Sequence, residues 1–296
     1  MYAARSGHVA PFAPPDRASG CDPDCRSQSP LMTAVRAPAQ GLLIAGHARS
    51  GTTLLKNVCG THPELFVTSE FHVFNGLGRP FAVYRRRLRT SWFARPLVVG
   101  PGHWNLLHRL RSGLFYYRFL AAVRSAAKPK VELHHVTRAL QDFAPRARLV
   151  GDKTPGYVFR LSHFAAFPGL KRLVIYRDPR DVAASALYKA QTDWQGKTFA
   201  DKFLEPASSA RSWLRAMEEL ESNLASCLAI RYEDLVMEPE AAVQRLADYL
   251  EVDRFGFDTG DVEPNRVGKH ANRLSRLAVS EIEAIAGDMM GRHGYR

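Results

Sequence analysis

Gly41-Leu42-Leu43-Ile44-Ala45-Gly46-His47-Ala48-Arg49-Ser50-Gly51-Thr52-Thr53 is the stretch from which the fold can be read. Leu42, Leu43 and Ile44 make a short apolar run bounded by turn residues, the pattern of a parallel strand buried on both faces. Gly46 ends that strand, and Thr52-Thr53-Leu54-Leu55-Lys56 begins a helix. A strand, a glycine-bounded turn and a helix N-terminus together form an anion cradle. Turn amides point inward, and the helix dipole adds partial positive charge.

The spacing Gly46-x-x-x-x-Gly51 is that of a nucleoside-triphosphate P-loop, but the next residue is Thr52 rather than Lys. That lysine normally reaches the β- and γ-phosphates, so its absence argues against triphosphate chemistry with Mg²⁺. A cation stands inside the loop instead, at Arg49. An arginine there, followed by Thr52-Thr53, suits a single 5′-phosphate and a charge growing on its bridging oxygen. These residues resemble the 5′-phosphosulfate loop of sulfotransferases that use 3′-phosphoadenosine 5′-phosphosulfate (PAPS). The Arg-Ser-Gly-Thr-Thr form is most similar to bacterial sulfotransferases and their tyrosylprotein-sulfotransferase relatives. The resemblance implies that Ala48, Arg49, Ser50, Gly51, Thr52 and Thr53 hold the donor, and that no metal takes part.

A second phosphate segment follows the same logic. In Arg177-Asp178-Pro179-Arg180-Asp181-Val182-Ala183-Ala184-Ser185, Arg177 leaves a strand as a fixed cation. Ser185 and Lys189 stand at i and i+4 of the next helix and share a face. Two cations and a hydroxyl make a site for a dianionic phosphate. The segment resembles the family's 3′-phosphate site, which implies that role for Arg177 and Ser185.

Transfer of a sulfuryl group to a hydroxyl needs a base, because the hydroxyl loses its proton as the bond forms. Glu70 lies after the second expected strand, and its distance from Arg49 matches the tyrosylprotein-sulfotransferase pattern, in which the Glu is that base. His72 is the rival. Arg49 would neutralise the departing phosphate oxygen. Lys153, in Asp152-Lys153-Thr154-Pro155, aligns with a lysine that such enzymes place near the transferred group. Arg231-Tyr232-Glu233-Asp234-Leu235 resembles a segment whose tyrosine walls the nucleotide pocket. Asn265-Arg266-Val267-Gly268-Lys269 resembles the late loop over the 3′-phosphate and adenine, with Gly268 and Lys269 as its donor contacts. The usual aromatic partner is not evident in that loop.

The rest of the chain frames these segments. Strands are expected at 65–67, 147–151, 171–177 and 227–231. Helices are expected over 51–60, from Pro155 with Thr154 as its cap, over 178–189 with Asp178 as its cap, and over 206–225, 239–250 and 280–290. The alternation predicts an α/β P-loop-like three-layer sandwich, a central parallel sheet flanked by helices. Ligands of such sheets sit at the carboxyl ends of the strands, where Arg49, Glu70, Lys153, Arg177 and Tyr232 all fall. Residues 1–38, rich in Ala, Pro, Ser, Asp and Arg, read as a disordered leader in which Met32 is a second candidate start. Residues 39–296 then form one domain.

The chain has 296 residues and a formal net charge of +12. Between Glu70 and Glu132 there is no acidic residue, while ten arginines and two lysines match the whole excess. Residues 79–130 therefore read as a basic helical insert. Trp92, Phe93, Trp104, Phe115, Tyr116, Tyr117 and Phe119 interleave with its arginines. Leu106, Leu107, Leu110, Leu114 and Tyr117 recur at helical spacing and are expected to face the core. The Arg85-Arg86-Arg87-x-Arg89 cluster is left for an acceptor or for peripheral contact with an anionic membrane. No stretch approaches the ~20 apolar residues of a span, and no secretory h-region is evident, so the expected location is cytoplasmic. The four cysteines, Cys21, Cys25, Cys59 and Cys227, are too scattered for a disulfide framework. His47, His134, His135 and His270 have no second ligand at metal spacing.

The expected activity is PAPS-dependent transfer to a hydroxyl of a carbohydrate, glycolipid, small molecule or peptide tyrosine. No nucleic-acid partner is expected. The competing readings are a P-loop kinase and a non-catalytic basic protein that binds nucleic acid or membrane. Titration with PAP, the product nucleotide, and with ATP–Mg²⁺ separates them: PAP should bind, and binding of ATP alone would remove the sulfotransferase reading.

Overall fold

The computed structural model describes residues 37–92, 106–196, 200–263 and 266–295. Residues 1–36 with Cys21 and Cys25, and Phe93, Trp104 and Asn265, lie outside the described residues. So do the side chains of Arg89, Trp92, Leu106, Leu107 and Leu110.

Five strands form a parallel sheet: β1 (Gln40–Ala45), β2 (Leu65–Ser69), β3 (Leu149–Lys153), β4 (Leu170–Tyr176) and β5 (Leu228–Arg231). Their spatial order is β2-β3-β1-β4-β5. Parallel neighbours cannot be joined by tight hairpins, so helical connections cross between them. These include α1 (Thr52–Thr61), α2 (Phe81–Trp92), α3 (Leu106–Ala126), α4 (Leu133–Gln141) and α5 (Leu161–Ala165). After β4 come α6 (Pro179–Gln191) and α7 (Pro206–Glu221); after β5, α8 (Tyr232–Met237), α9 (Pro239–Leu250) and α10 (Arg276–Arg292).

The alternation of side chains along β1 sorts the layers. Leu42 and Ile44 pack with Leu55 and Val58 of α1 and with Leu235, Val243 and Leu246 of α8 and α9. Leu43 and Ala45 face the other way, into a larger core with Phe119, Val136, Val182, Trp213, Leu220 and Met289. The result is helices, sheet, helices, as the strand pattern predicts. Among the described residues no helix is long and apolar enough to cross a membrane.

The structure changes several local expectations. The segment from Pro155 opens as a 3-10 helix (Pro155–Arg160), and Thr154 does not cap it. Its hydroxyl donates to Asp152 instead, at 2.7 Å. Asp178 does cap α6, accepting from the Arg180 N–H at 2.8 Å. In α3 the buried face is Phe115, Tyr116, Phe119, Leu120 and Val123, whereas Leu114 and Tyr117 are 60% and 67% exposed. A turn of α2 fixes this choice of face, because Tyr84 and Leu88 join the same cluster as Phe71, Phe74 and Phe115. Arg85, Arg86 and Arg87 lie on the opposite, exposed face of α2.

One glycine allows the central strands to meet. Gly151 of β3 pairs with Leu42 of β1, and a Cβ there would lie 1.6 Å from the Leu42 carbonyl oxygen. Gly151→Ala should lower the free energy of unfolding by about 3 kcal/mol. Urea denaturation measures this, and an unchanged midpoint would mean the β1–β3 pair can shift at little cost.

Candidate active site

Strands of this sheet deliver the site at their carboxyl ends. Glu70 follows β2, Lys153 ends β3, Arg177 follows β4 and Tyr232 follows β5, while the 46–51 turn carries Arg49 beyond β1. Chain order reverses beside β1, with β2 and β3 on one side and β4 and β5 on the other. The edge therefore has two halves.

The turn after β1 is built to approach closely. Gly46 has φ 156°, and a Cβ there would meet the Ile175 carbonyl oxygen at 2.3 Å. Gly51 caps α1 at φ 97°, in contact with the Tyr232 ring, where a Cβ would sit 2.4 Å from Cδ2. No side chain caps α1 and no acid stands in its first turn, so its N-terminal amides retain their donor capacity. His47 is 5% exposed. Its ring nitrogens lie 2.9 Å from the Ala48 carbonyl oxygen and 3.1 Å from the Ser212 hydroxyl. The carbonyl must accept, so Nδ1 carries the proton and Nε2 accepts from Ser212. Ser50 is buried, its Oγ has no hydrogen-bond partner, and its N–H donates to the His47 carbonyl at 3.0 Å.

Beside this turn lies a cavity of about 630 Å³. Arg49, Gly51, Thr52 and Thr53 line it from the turn and α1, Arg177, Ser185 and Lys189 from β4 and α6, and Tyr232 and Lys269 from later segments. Ala48, Ser50 and Gly268 do not line it. Arg49 donates through Nε to Ser185 Oγ at 3.1 Å, joining the two phosphate segments directly. Burial and the neighbouring Arg177 charge lower the Arg49 pKa, yet a guanidinium so placed stays a cation. Lys189 is ion-paired with Asp193. Arg177 lies over the Tyr232 ring at 4.2 Å and donates to Asp181 at 2.9 Å. Its Nη2 also donates to the Arg266 carbonyl.

Asp181 organises the late loop. It accepts from the N–H groups of Gly268 and His270 at 2.8 and 2.9 Å. His270 Nδ1 lies 2.9 Å from the same carboxylate. Burial would raise the Asp181 carboxyl, but the His270 N–H and the Arg177 charge outweigh it and hold the pKa below the usual range. Gly268 adopts φ 73°, so it acts by shaping the loop, while Lys269 reaches the cavity.

The other half of the edge rests on Asp152, which is fully buried. Its Oδ1 accepts from Thr68 Oγ1 at 2.7 Å and the Phe71 N–H at 3.0 Å. Its Oδ2 accepts from the His72 N–H at 2.9 Å, Thr154 Oγ1 at 2.7 Å and the Tyr157 hydroxyl at 2.8 Å. The turn so held presents Glu70, whose carboxylate meets Lys153 Nζ at 2.8 Å. Lys153 is 2% exposed and also lies 3.5 Å from Thr53 Oγ1. Glu70 thus stands one lysine away from the phosphate turn. Arg49, Glu70 and His72 have φ of 72°, 57° and 59°, a region costly to residues other than glycine. His72 Nδ1 accepts from Asn75 Nδ2 at 2.9 Å, which leaves the proton on Nε2. Burial pushes the His72 pKa down, with Lys153 adding to the effect. The neutral ring therefore presents a donor at Nε2, whereas the Glu70 carboxylate accepts from Lys153.

A sequence model of the sulfotransferase family matches residues 41–256. The chain belongs to the sulfotransferase family. No curated protein matches it by sequence search. Among solved structures, the sulfotransferase domain from the curacin biosynthetic pathway is 18% identical over 86% of this chain and 98% of that one, with a TM-score of 0.52. The sulfotransferase domain of the Synechococcus PCC 7002 olefin synthase is 17% identical over 85% and 95%, also with a TM-score of 0.52. A mouse sulfotransferase, SULT7A1 complexed with PAP, is 12% identical over 86% of each chain, with a TM-score of 0.45. The first two likenesses establish the sulfotransferase fold and nothing finer.

Sequence reasoning about this sulfotransferase quoted Asp152 and Asp181 within its segments but gave neither a role, because their partners lie far along the chain; Asp181 also lines the cavity. It also missed Lys56, a buried lysine whose pKa is lowered by burial and by Lys153. Trp194, with Arg49 5.9 Å from its ring, and Tyr188, with Arg273 4.6 Å from its ring, are aromatic groups outside any motif. His47, His135 and His270 prove to be hydrogen-bonding residues, with His135 completing the capping box of α4. Among the described residues no group of three His, Cys, Asp or Glu is placed to hold a metal.

Burial moves the His47 pKa from 6.5 to about 4. Between those values the unfolded chain binds a proton that the folded chain refuses, so stability falls as the pH drops through that window. Wild type should lose about 3 kcal/mol more than His47→Gln between pH 7 and pH 4. Parallel urea titrations measure the difference, and equal slopes would contradict the buried neutral ring.

Proposed function

We propose that this sulfotransferase moves the sulfuryl group of PAPS to a hydroxyl of a carbohydrate, glycolipid, small molecule or peptide tyrosine. The observation that carries the reading is the Glu70–Lys153 pair, 2.8 Å apart and linked to Thr53 beside the phosphate turn. A base and a phosphate cradle joined by one lysine suit transfer between a bound phosphosulfate and an adjacent alcohol.

In this reading the remaining turn amides, Arg49, Thr52 and Thr53 bind the 5′-phosphosulfate, and buried Ser50 holds the turn through its N–H bond to the His47 carbonyl. Arg177, Ser185, Lys189 and Lys269 bind the 3′-phosphate, and Tyr232 walls the nucleotide. The cavity volume of about 630 Å³ falls within the range of small-molecule sites and suits a nucleotide. Glu70 takes the acceptor proton as the acceptor oxygen bonds to sulfur. The bond from sulfur to the bridging phosphate oxygen breaks, and Arg49 and the α1 N-terminus stabilise the charge left on that oxygen. Lys153 orients the Glu70 carboxylate before attack and is the cation placed to neutralise sulfonate oxygens in the transition state. Ala48 and Gly268 act through backbone shape. Residues 39–296 serve as one catalytic domain, with 79–130 inserted in it.

Glu70→Gln should reduce turnover at least about 100-fold while leaving PAP affinity within about twofold. Arg177→Ala should weaken PAP binding by about 2 kcal/mol. Calorimetry with PAP and turnover of labelled PAPS read the two effects. A Glu70→Gln enzyme of near-normal rate would move the base elsewhere, and unchanged PAP affinity in Arg177→Ala would remove the 3′-phosphate assignment.

A further inference from the structure

Arg177 is only partly engaged by its neighbours. Its Nη2 donates to Asp181 at 2.9 Å and to the Arg266 carbonyl, but its Nε is buried with no hydrogen-bond partner among the described residues. A buried N–H left open costs free energy, and an arginine that lines a cavity can recover that cost from an anionic ligand. How well the open donor meets a ligand depends on the backbone from which the side chain springs.

That backbone is fixed by residues far along the chain. The peptide group between Arg177 and Asp178 is bonded on both sides. Its carbonyl, that of Arg177, accepts from Trp213 Nε1 of α7 at 2.9 Å. Its N–H, that of Asp178, donates to Glu233 Oε1 of α8 at 3.1 Å. A trans peptide points its C=O and N–H in opposite directions, so the two bonds together hold the plane against rotation. The Asp178 carboxylate in turn caps α6, the helix that carries Ser185 and Lys189. One clamp therefore sets the departure of Arg177 and the start of α6 together.

Glu233 is itself held. Tyr295, which follows α10 and is 4% exposed, donates to Glu233 Oε2 at 2.9 Å. The Tyr295 ring packs edge-on against Tyr176 at 6.3 Å, and Arg231 lies over it at 4.5 Å. Arg231 also donates to the Gly294 carbonyl at 3.2 Å, which fastens this turn to the end of β5. Burial still pushes the Glu233 carboxyl above its ordinary pKa. Holding a carboxylate where burial disfavours its charge costs stability. What the site gains is a fixed acceptor for one N–H beside the phosphate cation.

We propose that Glu233, held by Tyr295, is a positioning residue for the donor's 3′-phosphate: it fixes the Arg177–Asp178 peptide so that the open side of the Arg177 guanidinium meets that phosphate. The inference rests on the 3′-phosphate reading of Arg177 given above. Neither Glu233 nor Tyr295 lines the cavity, so each acts through Arg177.

PAP and adenosine 5′-monophosphate, which lacks the 3′-phosphate, separate positioning from general support. Calorimetry should show PAP binding weakened about fivefold in Tyr295→Phe and about tenfold in Glu233→Ala, with binding of the monophosphate within about twofold of wild type in both. In an Arg177→Ala background, Tyr295→Phe should change PAP affinity no further, because the group it positions is gone. Tyr295→Phe keeps the ring and loses only the hydroxyl, so it decides the matter even where Glu233→Ala does not fold. Wild-type PAP affinity in Tyr295→Phe, equal losses for the two nucleotides, or a Tyr295→Phe effect that persists without Arg177 would overturn the inference and leave the 3′-phosphate reading standing. Unchanged PAP affinity in Arg177→Ala alone would remove that reading and the inference with it.

Discussion

Two oxygens of Asp152 accept five hydrogen bonds in a space that water does not reach. A buried carboxylate is tolerable only when its lone pairs are used, and here every donor comes from an element that shapes the site. Thr68 belongs to β2, Phe71 and His72 to the turn after it, and Thr154 and Tyr157 to the segment after β3. The carboxylate therefore ties two strand ends together and forces the intervening turn into one conformation. Left-handed backbone at Glu70 and His72 follows from that constraint. Strain of this kind persists where surrounding contacts over-determine it. Tyr157 stays a donor because burial, and then the neighbouring Asp152, push its phenol well above the ordinary pKa.

Asp181 does the corresponding work on the other side of β1. It gathers two backbone N–H groups, Arg177 and His270, and so folds the 266–272 segment back toward α6. Each half of the edge is thus organised by one buried acid that itself carries no chemistry. The halves are coupled through short links. Lys153 reaches from Glu70 to Thr53, Arg49 reaches from the turn to Ser185, and Tyr232 packs on Gly51 beneath Arg177. A change at any of these links alters the distance between the two halves, and group transfer depends steeply on that distance.

The charge of the chain acquires a structure in this arrangement. Arginines of α2 and the preceding turn are not spread over a solvated face alone. Arg87 shares Asn75 with Arg160, which comes from a segment some seventy residues later in the chain. The aromatic residues among them do something different: Phe115, Tyr116 and Phe119 pack on Phe71 and fill the core beneath the Glu70 turn. One sequence segment thereby supplies both an apolar support for the turn and part of the charge around it.

The sequence determined the local chemistry of this protein. The apolar runs, the glycines at 46 and 51, and the Asp178-Pro179 cap are each decided within a few residues, because strand burial, left-handed turns and helix capping are short-range effects. They sufficed for the parallel sheet and for the order in which its strand ends deliver Arg49, Glu70, Lys153, Arg177 and Tyr232. Tertiary structure alone decided what lies across from each of them. Whether Phe115 or Leu114 faces inward, whether Thr154 caps a helix or bonds Asp152, and which acids hold the two loops depend on partners many residues away. Burial sets the cost of leaving a polar group unpaired, and no pattern along the chain states where burial will fall.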